Sequence, residues 1–367
     1  MRQFATLLIL ILAVRTGDAQ EKQPPPRTEN VIVVTLDGYR WQELFRGADE
    51  SFMNKQFGGV RDINGLKRRY LRKTEEESRA AIMPFLWNTM AREGQVFGSR
   101  SHQAVCRSTN GLKFSYPGYS ELFCGLADPR IDSNDKKPNP NLSVLEFLHG
   151  KPAYRGRVAA FCTWDVFPSI FRSAQNGLPV HTGWNPVQDQ PLTDRQRWVN
   201  ELLPTLPRYW PDNTFDAVTL EYAREYLLRH KPRVLYIGLG ETDEWGHGRR
   251  YDLYLDAAHN ADRILGELWR TLQTMPEYRG KTSLILTTDH GRGLTRVDWT
   301  DHGKEVPGAE YMWIAILGPD TPPLGLREKV ETTQSQVAAT IAHLLGEDFL
   351  TASPRAAAPL PEVRKRK

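Results

Sequence analysis

Three apolar runs, each leading into acidic residues, restrict this chain more than any other feature. "VIVVTL" (Val31 to Leu36) stops at Asp37, "VLYIGL" (Val234 to Leu239) passes into "ETDEWGH", and "SLILTT" (Ser283 to Thr288) stops at Asp289 and His290. Runs that stay apolar at successive positions, rather than alternating, read as strands buried on both faces. That burial is what helices on both sides of a parallel sheet provide. Helical patterns lie between them, so strands and helices alternate along the chain. The expected fold class is α/β: an α/β/α sandwich with a mostly parallel central sheet and a small cap insertion.

Apolar residues at helical spacing predict one continuous helix over "AAIMPFLWNTMAREG" (Ala80 to Gly94) and another in "NLSVLEFLHG", with Gly150 past its end. "RVAAFCTWD" (Arg157 to Asp165) reads as a further strand, "TFDAVTLEYAREYLLRHKP" as an amphipathic helix closed by Pro232, and "YLDAAHNADRILGELWRTLQ" as a long helix. "ETDEWGH" reads as a polar loop, "YMWIAILGP" as a strand and "TTQSQVAATIAHLLG" as the last helix. Residues 166–213 are rich in Pro, Trp, Gln and Asn with weak periodicity, which predicts a cap over the strand ends rather than a second domain. There are no internal repeats.

The start of the chain has the pattern of a secretory signal peptide: Arg2, the apolar stretch "FATLLILILAV", then the small residues of "TGDAQ". That stretch is shorter than the roughly 20 residues of a membrane span. The expected organisation is a signal peptide over 1–19, a linker over 20–29, a catalytic domain over 30–350 with the cap at about 166–213, and a disordered basic tail over 351–367. The expected location is outside the cytoplasm, periplasmic or secreted, with no stable membrane span. A formal net charge of +4 owes part of its excess to the terminal "VRKRK", so no nucleic-acid partner is inferred. Three cysteines, Cys106, Cys124 and Cys162, cannot form a complete disulfide framework. One bridge or three buried thiols are both open.

The ends of parallel strands are where ligands bind in such sheets. Here they carry Asp37, then Asp243 and His247 four residues apart, then Asp289 and His290, with His302 in a second "DHG" soon after. A further cluster, "KFSYPGYSELFCG", carries Ser115. A single acid at a strand end is ordinarily a cap or turn residue. Three carboxylates and three imidazoles together form a donor set suited to divalent metals. Six ligands serve two ions, and a metal's charge would compensate the burial of Asp289 and His290.

At this point the sequence resembles the alkaline phosphatase superfamily, in its nucleotide pyrophosphatase/phosphodiesterase-like and phosphomonoesterase branch, over nearly all of the chain after the leader. "VTLDGYR", "MPFLWNTMAREGQVF", "SYPGYSELFCG", "ETDEWGH", "TTDHG" and the later His-Gly at His302 follow the family's motifs in order. The resemblance implies one metal held by Asp243, His247 and His302, and a second held by Asp37, Asp289 and His290 that also touches Ser115. It implies Ser115 as the nucleophile of a phosphoseryl intermediate, and two divalent ions, Zn(2+) being expected and Mn(2+) the alternative. Asn134 in "PRIDSND" is the counterpart of an Asn that contacts the transferred group in relatives, and Arg292 is a candidate for a phosphate oxygen. Two departures stand out: Gly118-Tyr119 where the family often has Asn-His, and Ser where the diesterase branch commonly has Thr. The sulfatases of the superfamily need C/S-x-P-x-R, and here Gly118 and Tyr119 follow the proline with no Arg.

The implied function is an exported, metal-dependent phosphoric ester hydrolase acting on a small-molecule phosphoester. The alternatives are a phosphomutase or phosphonate hydrolase of the same superfamily, or a catalytically silent metal-binding scaffold. Monoester or diester preference, the natural substrate and the oligomeric state stay open at the level of sequence.

Overall fold

The computed structural model describes residues 27–364. The proposed leader and its cleavage point lie outside the described residues, as do the first part of the linker and residues 365–367. Ten strands occur among the described residues: β1 Asn30–Leu36, β2 Gln95–Phe97, β3 Val105–Arg107, β4 Val158–Cys162, β5 Val180–Thr182, β6 Val234–Leu239, β7 Thr282–Thr287, β8 Ile314–Leu317, β9 Gly325–Leu326 and β10 Glu331–Thr333. Eight form the central sheet in the order β5-β4-β6-β1-β7-β8-β2-β9, and β10 pairs with β3 separately. Only β8 runs against the rest of the central sheet, pairing antiparallel with both β7 and β2. The expected α/β sandwich is therefore the observed one.

The alternate residues of β1 divide the core. Ile32, Val34 and Leu36 join the apolar cluster on one face, and Val31 and Val33 join the cluster on the other. All of them are almost completely buried. Register does the rest: Leu36 pairs with Leu239, and Thr35 pairs with Thr287. Asp37, the start of "GETDEWGH" and Asp289 thus leave the sheet at one level, side by side.

Four expectations change. The helix over Ala80 to Gly94 is broken: Glu75–Ile82 ends before Pro84, and a π-helical turn Leu86–Met90 runs into the short helix Ala91–Glu93. Proline cannot donate to the preceding turn. The buried carboxylate of Asp262 instead accepts from the backbone of Phe85 at 2.7 Å and of Leu86 at 2.9 Å. "ETDEWGH" is a helix, Glu241–His247, not a loop. The stretch 166–213 is only partly a cap: β5 extends the sheet edge beside β4, and the helix Asp194–Leu202 packs on the helix Asp216–His230. Its end, Trp210 to Asn213, is what reaches the site.

The segment from 351 onward, expected to be disordered, is folded as far as 364. Leu360 and Val363 are buried in the second cluster, Ala357 N–H donates to Gly125 O at 2.8 Å, and Leu360 N–H donates to Thr340 Oγ1 at 2.9 Å. A proline-rich, basic composition hid two apolar anchors, Leu360 and Val363, that pack this irregular segment onto the core. The last linker residues are also fixed, with Arg27 and Thr28 N–H donating to the Asp320 carboxylate at 3.1 and 2.7 Å. No helix among the described residues is long and apolar enough to cross a membrane. The three cysteines are free and buried, and burial pushes the Cys106 and Cys124 thiols up to about 12.

Candidate metal centre and active site

Six side chains meet at the carboxyl ends of β6, β1 and β7. They form two groups, Asp37 with Asp289 and His290, and Asp243 with His247 and His302. Within each group the ligand atoms lie within 4.8 Å of one another. In the first group His290 Nε2 is 3.3 Å from Asp37 Oδ1 and 3.4 Å from Asp289 Oδ2. In the second, His247 Nε2 lies 3.3 Å from Asp243 Oδ2 and 3.0 Å from His302 Nε2. The groups adjoin, since Asp243 Oδ1 is 3.9 Å from His290 Nε2, and the rings of His290 and His302 stack at 3.9 Å between centroids.

The reason for the Asp243-His247 spacing is the short helix Glu241–His247, which sets residues four apart on one face. Two imidazoles have their tautomers fixed from behind. His290 Nδ1 donates to Gly291 O at 2.9 Å and His302 Nδ1 donates to Lys113 O at 3.1 Å, so both leave the Nε2 lone pair facing the centre.

The donor set fits divalent metal ions on two observations. Asp37 Oδ1 and Asp289 Oδ2 are buried with no hydrogen-bond partner, and both point at the Nε2 of His290. Buried carboxylate oxygens without donors cost several kcal/mol unless a cation answers them, on the order of what is lost with an unpaired buried charge. The electrostatics agree. Burial, then the neighbouring Asp243, pushes the Asp37 carboxyl well above the carboxylate range. Burial, then Asp37, does the same to Asp289. Burial pulls Asp243 the same way, but the Arg292 guanidinium with His247 and His302 overcomes it and holds Asp243 well below that range.

Ser115 Oγ lies 3.3 Å from His290 Nε2, and Ser115 lines the same cleft as Asp243, His247 and His302. It is the first residue of the helix Ser115–Cys124. Pro117 is tolerated there because the first N–H groups of a helix have no intrahelical partner. The N-cap is Phe114, with no side-chain cap bond, so the Ser115 hydroxyl is not engaged in capping.

The two departures from the family pattern have local explanations. A Cβ on Gly118 would lie 2.6 Å from Asp289 O, so only glycine lets the helix come this close to the metal strand. Tyr119 donates its hydroxyl to Asp37 Oδ2 at 2.9 Å, orienting that carboxylate. Gly38 is confined twice over: its φ is +58°, and a Cβ there would meet Asp243 Oδ1 at 2.7 Å.

Asn134 is brought to the cleft. Its Oδ1 accepts from Tyr116 N–H at 2.9 Å, which leaves the amide nitrogen free to face the space beside Ser115. Arg292 is a correction. It has no exposed surface and donates to the Asp243 carboxylate, to Asp243 O at 2.8 Å and to Thr300 O. With Gly246 and Gly38 packed against it, its guanidinium is enclosed and positions Asp243 instead of facing substrate. Nearby, Lys113 bonds Val306 O and pairs with Glu310, and Arg107 pairs with Glu331.

Sequence reasoning missed Tyr119, Thr242, Asn213 and Glu244. Thr242 donates to Asp37 O at 2.6 Å, and Asn213 Nδ2 donates to Glu244 Oε1 at 2.6 Å. Burial, then Asp243, raises the Glu244 carboxyl to about 7. Glu244 sits in the "ETDEWGH" motif, and its helical reading would have put it next to the ligands.

These features define a metal-binding α/β protein with a serine at its centre. Residues 211–348 match the metalloenzyme superfamily, a segment that holds Asp243, His247, Asp289, His290 and His302. Solved structures of similar fold include the alkaline phosphatase PafA, with a TM-score of 0.60 at 11% identity, covering 93% of this chain and 99% of that one. The lipoteichoic acid synthase LtaP from Listeria monocytogenes is similar with a TM-score of 0.54 at 14% identity, covering 88% and 72%. A 2-O GAG sulfatase is similar with a TM-score of 0.52 at 13% identity, covering 93% and 75%. No curated protein sequence matches the chain. The solved structures share the fold, and residues 211–348 share the metalloenzyme pattern; both agree with the resemblance read from the sequence.

Proposed function

We propose that the protein is an exported, metal-dependent phosphoric ester hydrolase that uses Ser115 as its nucleophile. The fold and the metalloenzyme match support a metal-dependent hydrolase of phosphate or sulfate esters. The observation that carries the finer reading is the position of Ser115 Oγ, 3.3 Å from His290 Nε2 and in the cleft lined by Asp37, Asp243, His247 and His302. The motif around it lacks the arginine that conversion of a sulfatase nucleophile requires.

Asp37, Asp289 and His290 would hold one ion and Asp243, His247 and His302 a second, with zinc expected and manganese as the alternative. Bound there, divalent cations supply positive charge that favours an ionised serine oxygen and offsets charge on the phosphoryl oxygens. The chain's own groups do the rest. Tyr119 and the Gly38 N–H orient the Asp37 and Asp289 carboxylates. Arg292 fixes Asp243, and the Asn134 amide would hold the transferred phosphoryl group. Ser115 loses its proton to water and its oxygen bonds to phosphorus as the ester P–O bond breaks. The departing alkoxide takes a proton from water. A second water then cleaves the seryl ester, restoring the hydroxyl and releasing the phosphate product.

The test is a panel of p-nitrophenyl phosphate, bis-p-nitrophenyl phosphate, phenylphosphonate esters and p-nitrophenyl sulfate. The expected outcome is turnover of a phosphoester in clear excess over the sulfate. A sulfate preference would overturn the reading. Export rests on the residues 1–20 pattern, and the mature protein is expected to begin close to Gln20. An intact Met1 on protein from its native source would contradict it.

A further inference from the structure

Outside the ligand groups the cleft changes character. Its volume is about 230 Å³, and its lining includes Trp164, Trp210, Asp212, Asn213 and Glu244. A backbone bridge joins Trp164 to Asn213, and Asn213 in turn donates to Glu244. Asn213 Oδ1 is buried with no donor. The two indoles are braced edge-on: Trp210 against Trp245 at 4.7 Å and Phe215 at 5.5 Å, Trp164 against Phe167 at 6.3 Å.

The charges around this outer part are of one sign. None of the residues lining the cleft is Lys or Arg. Lys136 pairs with Asp165 at 2.8 Å, and Arg292 is buried and donates to Asp243. A substituent bearing negative charge would meet the Glu244 and Asp212 carboxyls and an unpaired carbonyl oxygen, with no Lys or Arg among the lining residues. A neutral polar substituent would leave the carboxylates unanswered. An ammonium group would meet indole rings together with Glu244 and Asp212, the combination that holds organic cations through ring quadrupole and charge.

We propose that the organic group of the substrate ester is a cation: a small amino alcohol or quaternary ammonium alcohol, seated among Trp164, Trp210 and Glu244 while its phosphoryl group lies at Ser115. This rests on the phosphoester-hydrolase reading above and adds its substrate class. The bond broken is the same ester P–O bond, and the released alcohol carries the ammonium group.

The test compares choline phosphate with its uncharged isostere 3,3-dimethylbutyl phosphate, and the methyl diesters of both, on the metal-loaded enzyme. The expected result is a kcat/KM at least about tenfold higher for the cationic member of whichever pair is turned over. In Glu244→Gln, and separately in Trp164→Leu, that ratio falls toward one at unchanged metal content. Choline alone should compete with the cationic ester. Equal turnover of the two isosteres, or a ratio unmoved in both variants, overturns the cation site while leaving the phosphoester reading intact. If no phosphoester in either pair or in the p-nitrophenyl panel is turned over by the metal-loaded enzyme, both readings fall.

Discussion

Ser115→Ala is expected to lower kcat by at least about a hundredfold, close to 3 kcal/mol of barrier, with metal content unchanged from wild type. The hydroxyl removed lies 3.3 Å from His290 Nε2, in a cleft shared with Asp243, His247 and His302. Knocking out a nucleophile in a serine hydrolase costs far more than a hundredfold, so this is a lower bound that allows for direct attack by water. The competing account, a serine that only caps its helix, would predict a loss of about 1 kcal/mol of stability and little activity. The helix is capped at Phe114 without any side-chain bond from Ser115, so the stability cost should be small. Ser115→Thr should keep more activity than the alanine variant, because it keeps a hydroxyl beside His290. A loss under about tenfold in Ser115→Ala, measured at full metal occupancy, would mean that another group attacks the phosphoryl centre.

Removing metal should be as damaging and should also loosen the fold. Chelation followed by dialysis is expected to abolish turnover and to lower Tm by several degrees, and zinc or manganese should restore both. Asp37 and Asp289 are buried carboxylates, each with an oxygen that no hydrogen-bond donor among the described residues answers, and burial pushes both carboxyls well above the carboxylate range. A cation bound only by the folded state stabilises it by RT ln(1 + [L]/Kd), about 4 kcal/mol at a thousandfold excess over Kd. Metal per chain after dialysis without chelator should be near two. A value near zero, with an unchanged Tm on adding metal, would favour a protein that keeps the fold without the centre.

Much of this was legible before any coordinates, for a physical reason. Strands buried on both faces must be apolar throughout, so Val31 to Leu36, Val234 to Leu239 and Ser283 to Thr288 announce themselves, and charge at their ends has to be explained. The ligand residues were therefore visible as exceptions. What escaped was set by contacts across the chain. Arg292 reads as a free guanidinium in "DHGRG", and only the fold shows that Asp243 takes it up. Tyr119 looked like a departure from a pattern until its hydroxyl was seen on Asp37. The edge strand Val180–Thr182 is three residues long, pairs only with β4, and lies in a stretch without periodicity. The docked segment after residue 351 failed for the opposite reason: its composition argues for disorder, and Leu360 and Val363 override it by finding a pre-formed apolar face.

The most direct test of the central claim is chemical quenching during turnover of a phosphoester labelled on phosphorus, followed by mapping of the labelled peptide. The account predicts label on the Ser115 hydroxyl, acid-stable as a serine ester, in the peptide containing "KFSYPGYSELF", and its absence from Ser115→Ala. Label on any other side chain, with Ser115 unmodified throughout turnover, would contradict it.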